Sequence, residues 1–156
     1  MSDGINIVDL ISSLPSRPRG RACIILTQDY HDQEEWATEL ASQVGCDHLN
    51  LLKHFESDEE LSAKIDEMGV TELLELVKNH SNQEILVVSG IEFLKATWVG
   101  DPNASEILSQ EVENWRGHPS LALVVQSDSY IANRNFNTRY RQHKFVIDQR
   151  ETLKLI

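Results

Sequence analysis

No apolar run in this chain of 156 residues approaches the roughly 20 residues that a membrane span needs, which argues against a transmembrane helix. Near its start there is neither the basic opening nor the apolar stretch of a secretory leader. Cysteine is scarce: Cys23 and Cys46 form no metal spacing and no disulfide framework, so buried structural thiols in a cytoplasmic, reduced protein are expected. Low-complexity tracts and internal repeats are absent. Basic residues are also few, 14 Lys and Arg against 25 Asp and Glu, and the net charge of −11 argues against a general nucleic-acid binder.

What is present has the balance of an ordinary globular domain, 40% hydrophobic and 25% charged. The length suits one domain with a proper core, residues 1–156. The charge is unevenly spread. Asp29 to Glu75 holds 14 acidic residues against Lys53 and Lys64, a balance of −12, whereas Arg134 to Arg150 carries a balance of +4. Such segregation marks protein contacts or solvated faces more often than catalysis.

The apolar pattern predicts a lead-in helix over residues 3–14, with Ile7, Leu10, Ile11 and Leu14 at helical spacing and Asp3 as its cap. Pro15 ends it, and residues 15–21 form a basic linker. Strand one is Ala22–Thr27, followed by a helix from Gln33 to Val44 with Trp36, Leu40 and Val44 on one stripe and Gly45 at its end. Asp32 with Glu35 resembles a capping box. Strand two is expected over His48–Phe55. A helix follows, capped by Ser57 or Asp58, carrying Leu61, Ile65 and Met68 and closed by Gly69; the next runs over Thr71–Asn79. Strand three is Glu84–Ser89, an excursion with Phe93, Leu94 and Trp98 leads into a helix ending at Arg116, and strand four is Leu121–Gln126. Strand five is Lys144–Asp148, and residues 149–156 form a C-terminal edge segment. Apolar strands alternating with helices predict a parallel sheet with right-handed crossovers, an α/β core over residues 22–148.

The end of strand three carries the first chemical signal. Ile85-Leu-Val-Val-Ser-Gly-Ile-Glu-Phe-Leu94 is similar to a Walker B strand, with Ser89 where the metal-binding Asp belongs and Glu92 where the pattern has its Glu. With the order of elements, this resembles the core of a P-loop NTPase over roughly residues 5–148. The chain is loosely similar to the small P-loop-type protein of type 3 BREX phage-defence systems. The resemblance implies a three-layer sandwich with a mainly parallel five-stranded sheet in the order 5-1-4-3-2.

The phosphate loop itself is missing. Such a loop needs glycines, so that backbone N–H groups converge on the phosphates, and a Lys to neutralise them. Here the segment Thr27-Gln-Asp-Tyr-His-Asp-Gln-Glu-Glu35 has neither, and sets Asp29, Asp32, Glu34 and Glu35 at the helix start. Two like charges about 4 Å apart repel by roughly 4 kcal/mol at an effective dielectric of 20. Asp29, Asp32, Ser89 and Glu92 therefore read as a degenerate nucleotide site, without catalytic residues, bound cofactor or metal. ATP hydrolysis is not expected. A divalent cation held by Asp29, His31, Asp32 and Glu35 in a metal-dependent enzyme is the alternative; a self-capped helix start with solvated acids is the plainer reading.

The Arg-rich segment Arg134–Arg141 is the strongest surface signal. Arg134, Phe136, Arg139, Tyr140 and Arg141 suit a protein interface, in which Arg and Tyr are typical anchors. They suit phosphates and stacked bases too, the basis of a nucleic-acid-binding alternative. Trp98 is a second candidate anchor, or packs over the sheet edge. Together these point to a non-catalytic adaptor that binds another protein of the same system, or itself, in a phage-defence or DNA-transaction complex. Nucleic acid would enter only through the larger assembly, and no membrane contact is expected.

Overall fold

The computed structural model describes residues 4–17, 20–28, 32–80, 83–98, 103–115, 119–126 and 145–155. Five strands form one parallel sheet: β1 (Ala22–Thr27), β2 (Asp47–Asn50), β3 (Ile85–Ser89), β4 (Ser120–Gln126) and β5 (Val146–Asp148). Their order across the sheet is β2-β3-β4-β1-β5, the 5-1-4-3-2 arrangement that the resemblance implied. Helices cover both faces. This is why the central strands read as continuous apolar runs: all six residues of β1 are buried.

Alternation along β1 divides the core. Ala22, Ile24 and Leu26 point to one face, with Leu86, Val88, Leu121, Leu123 and Val125. That face is covered by α3 (Leu51–Glu56), α5 (Val70–Lys78), α6 (Glu92–Thr97) and α7 (Ala104–Glu113), through Phe55, Leu73, Leu94 and Leu108. Cys23 and Ile25 point to the other, where α1 (Ile7–Ser12) and α2 (Gln33–Val44) supply Ile7, Ile11, Ala37 and Leu40. Each fully buried aliphatic side chain contributes about 1.5–3 kcal/mol. The remaining helix, α4 (Glu59–Ala63), buries none of its residues.

Several boundaries differ from the sequence reading. The run expected as strand two over His48–Phe55 divides at Asn50: Asp47–Asn50 pairs with β3, and Leu51–Glu56 is helical. Asn50 is the reason, because its side chain accepts from the N–H of Lys53 and caps α3. Leu51 and Phe55, four apart, are then buried on one side of that helix. Asp58 does cap the next helix, through the N–H groups of Glu60 and Leu61, but that helix stops at Ala63 and Ile65–Glu67 is a separate 3-10 turn. Gly69 opens α5 rather than closing what precedes it.

At the N-terminal helix, Asn6 rather than Asp3 is the cap, accepting from Asp9 N–H. Asp32 makes no side-chain cap bond to α2, so the capping box is absent. Gly45 ends α2 in the left-handed conformation at φ 82°, as its position predicts. The C-terminal edge segment adds a single parallel bridge, Ile5 to Thr152, instead of a strand. Arg17, from the expected linker, is buried: its guanidinium donates to the Gly20 carbonyl at 3.1 Å and stacks 5.8 Å from the Phe145 ring centroid. Among the described residues, no helix is long and apolar enough to cross a membrane.

Candidate functional site

In a parallel α/β sheet, ligand sites form at the carboxyl ends of the strands. Here that edge gathers Thr27 from β1, Asn50 from β2, Ser89 from β3 and Gln126 from β4. The turn after β3 is tight, with Gly90 at φ 72°. A Cβ at Gly90 would stand 2.6 Å from Asn50 Oδ1 and 3.1 Å from the backbone nitrogen of Leu52. Glycine is required there by both conformation and space. The turn delivers Glu92 to the first position of α6.

Glu92 faces inward. Its Oε2 accepts from the backbone N–H of Gln126 at 2.7 Å and from Nε2 of Gln33 at 3.4 Å. Its Oε1 is buried and has no partner among the described residues. Gln33 is the residue around which the edge closes. It is 2% exposed at the first position of α2. Its Nε2 also donates to Thr27 Oγ1 at 3.3 Å, and its Oε1 accepts from the backbone N–H of Gly90 at 3.2 Å. The Gly90 donor fixes which end of the amide is oxygen. One uncharged side chain thus ties β1, the β3–α6 turn and Glu92 together.

Ser89 is fully buried and lies 2.7 Å from Nε2 of His48. The other ring nitrogen of His48 lies 3.1 Å from Thr38 Oγ1, and the Thr38 hydroxyl donates to the Glu34 carbonyl. Burial pushes the His48 imidazole below its ordinary value, with Glu34 pulling it up and Lys53 pushing it down. Glu34 and Lys53 pair with each other at 2.5 Å on the rim. The hydrogen bond from Lys53 holds the Glu34 carboxyl below the usual range.

Of the four residues read as a degenerate nucleotide site, the structure brings Ser89 and Glu92 to this edge and engages Ser89 Oγ and Glu92 Oε2, though not Glu92 Oε1, in protein contacts. Asp32 stands apart. With Glu35 and Trp36 it lines a cleft of about 730 Å³, bounded on its other side by Arg150, Leu153 and Leu155. Asp29 lies outside the described residues, as do His31 of the alternative cation loop and Arg134, Phe136, Arg139, Tyr140 and Arg141. Trp98 is half-buried against the core, its indole N–H donating to the Met68 carbonyl at 2.8 Å. Among the described residues no group of three His, Cys, Asp or Glu side chains is arranged to hold a metal ion.

Gln33 and His48 were not legible as site residues. The available signal for Gln33 is its position: Gln33, Ala37 and Leu40 or Ala41 follow at helical spacing, and all are buried. A polar residue heading an apolar stripe needs a buried partner. The sequence reading placed the stripe on Trp36, Leu40 and Val44, of which only Leu40 is fully buried.

No protein-family model matches the chain, and no curated protein matches it. Among solved structures it is similar to that of C. elegans PCH-2, with a TM-score of 0.48 and 10% identity, over 91% of this chain and 40% of that one. The chain therefore spans well under half the length of that protein.

Proposed function

We propose that this domain is a non-catalytic, P-loop-like adaptor that works by binding another protein. The observation that supports the reading is the Gln33 side chain. In a phosphate loop, backbone N–H groups and a Lys at the head of the helix after strand one face outward to a ligand. Here the residue at the head of that helix is turned inward. It satisfies Thr27, the Gly90 N–H and Glu92, all protein groups. Ser89, buried and engaged with His48, offers no carboxylate to a magnesium ion.

The partner surface in this reading is the Arg-rich segment, with Arg139 and Arg141 as anchors. The setting, a prokaryotic phage-defence or DNA-transaction complex, comes from the sequence resemblance. Calorimetry with ATP in the presence of Mg²⁺ or Mn²⁺ tests the non-catalytic half: no saturable heat is expected, and a fitted nucleotide site would end the proposal. Affinity capture from the native host tests the other half. Replacing Arg139 and Arg141 together by alanine is expected to reduce recovery of the co-purifying protein while the melting temperature holds. Undiminished recovery would remove the segment as the interface, and binding to DNA with a steep salt dependence would replace a protein partner by nucleic acid.

A further inference from the structure

One arrangement of protons satisfies every hydrogen bond around His48 among the described residues. The carbonyl of Glu34 can only accept, so the Thr38 hydroxyl gives its proton there, at 2.8 Å. Thr38 Oγ1 is then an acceptor toward His48, and Nδ1 must carry the hydrogen across the 3.1 Å between them. That leaves Nε2 as a lone pair, and the Ser89 hydroxyl, 2.7 Å away, donates into it. The chain runs from β3 through β2 to α2, and every member is satisfied with a neutral imidazole.

A second proton on His48 breaks this pattern. Nε2–H would have to donate to Ser89 Oγ, and the Ser89 hydroxyl proton would have to turn elsewhere. Ser89 is fully buried and has no other hydrogen-bond acceptor among the described residues. We propose that His48 is a pH-sensitive latch: as the neutral imidazole it fastens α2 and the β2 edge strand to the carboxyl end of β3, and its protonation releases that edge. What would loosen is the β2–α3 junction at Asn50–Leu51 and the Ser89–Gly90 turn packed against it.

The charged groups facing His48 are Glu34 on α2 and Lys53 on α3; β3 offers only the neutral Ser89. Glu34 favours the proton and Lys53 opposes it, and because the two pair with each other, burial decides the direction, downward. A downward shift means that the folded edge holds together at neutral pH. It loses stability as the pH falls below the ordinary His value of about 6.5 toward the lowered one.

The test is an NMR titration of the histidine rings in the intact chain, with amide hydrogen exchange followed at Asn50, Leu51, Ser89 and Gly90. The expected result is a His48 ring in the Nδ1–H tautomer that titrates below the ordinary value. Protection at those four amides, corrected for intrinsic exchange, should drop selectively between pH 7.5 and 5.5. In His48→Gln, which cannot titrate, the selective drop should vanish. In Ser89→Ala, where Nε2 loses its donor, the titration of His48 should move up by about half a pH unit or more. The proposal is overturned by a His48 that titrates at or above the ordinary value, by an unmoved titration in Ser89→Ala, or by the same selective drop in His48→Gln. Should His48→Gln fail to fold, the wild-type tautomer and the Ser89→Ala shift decide alone.

Discussion

The backbone N–H of Gln126 donates to the Glu92 carboxylate at 2.7 Å, so the last residue of β4 is held by the first residue of α6. Without that carboxylate, the Gln126 donor and the Gln33 amide both lose a partner. Because Gln126 is exposed and Gln33 keeps its bonds to Thr27 and Gly90, Glu92→Ala should cost about 0.5–1.5 kcal/mol, the net range for an intramolecular hydrogen bond. Glu92→Gln keeps an acceptor at the Oε2 position and should cost less. Thermal melts should rank wild type above Glu92→Gln and both above Glu92→Ala; equal melting temperatures for wild type and Glu92→Ala would show that this contact carries no stability.

Gly90 gives a steeper expectation. Its φ of 72° suits glycine, and a methyl group would collide with Asn50 Oδ1, which is itself the cap of α3. Gly90→Ala combines about 1–3 kcal/mol of backbone strain with damage to that cap. Chemical denaturation should show a lowered midpoint at unchanged slope. Gly45→Ala, where a Cβ meets nothing within 4 Å, isolates the conformational part and should cost less.

The thiols should be slow. Burial pushes Cys46 up to about 11 and Cys23 up to about 12, from 9.0 in both cases. For Cys46 a rise of that size leaves about one hundredth of the ordinary thiolate at pH 8. Alkylation should proceed in two phases, half-buried Cys46 before buried Cys23, and both should become fast in denaturant. Rapid native labelling of Cys23 would mean that β1 is not covered on both faces.

At acid pH, Asp148 is the group to watch. The Arg150 side chain donates to it at 3.1 and 2.7 Å and the Arg150 N–H at 2.9 Å, holding its carboxyl below the usual range. Because the folded value lies under the unfolded one, the stabilisation is present above the unfolded value of about 3.9. It is lost as the pH falls through the folded value. Arg150 is 70% exposed, so the effect should stay below about 1 kcal/mol. Asp148→Asn should flatten this part of the acid limb in melts between pH 5 and 2; an unchanged limb would rule the pair out.

Where one physical signal dominated, the sequence was read correctly. Ala22–Thr27 and Ile85–Ser89 are continuous apolar runs because both their faces are covered, and Gly45 stops α2 because a left-handed residue is needed there. Between His48 and Phe55 the signals conflicted. Leu49 and Leu51 alternate as in a strand, Leu51 and Phe55 repeat as in a helix, and the capping role of Asn50 decides between them only in three dimensions. The strand order came from the family resemblance and not from any periodicity. Ser89 and Glu92 could be named in advance because a motif has a place for them. Gln33 and His48 could not, since Thr27, Gly90, Ser89 and Thr38, to which they bond, are brought near only by folding.

The place of β1 between β4 and β5 bears on how the chain is made. Ala22 aligns with Leu121 and Ile24 with Val146, so this strand leaves the ribosome long before either neighbour exists. Until then it is six residues of bare β-forming sequence, the kind of segment that pairs with other chains. Arg17, Arg19 and Arg21 stand just before it and Asp29 and Asp32 just after it. Charges flanking an unavoidable apolar strand keep nascent copies apart. Neutralising Arg19 alone, which leaves the buried Arg17 and its contacts with Gly20 and Phe145 in place, should therefore show first as insoluble product during expression.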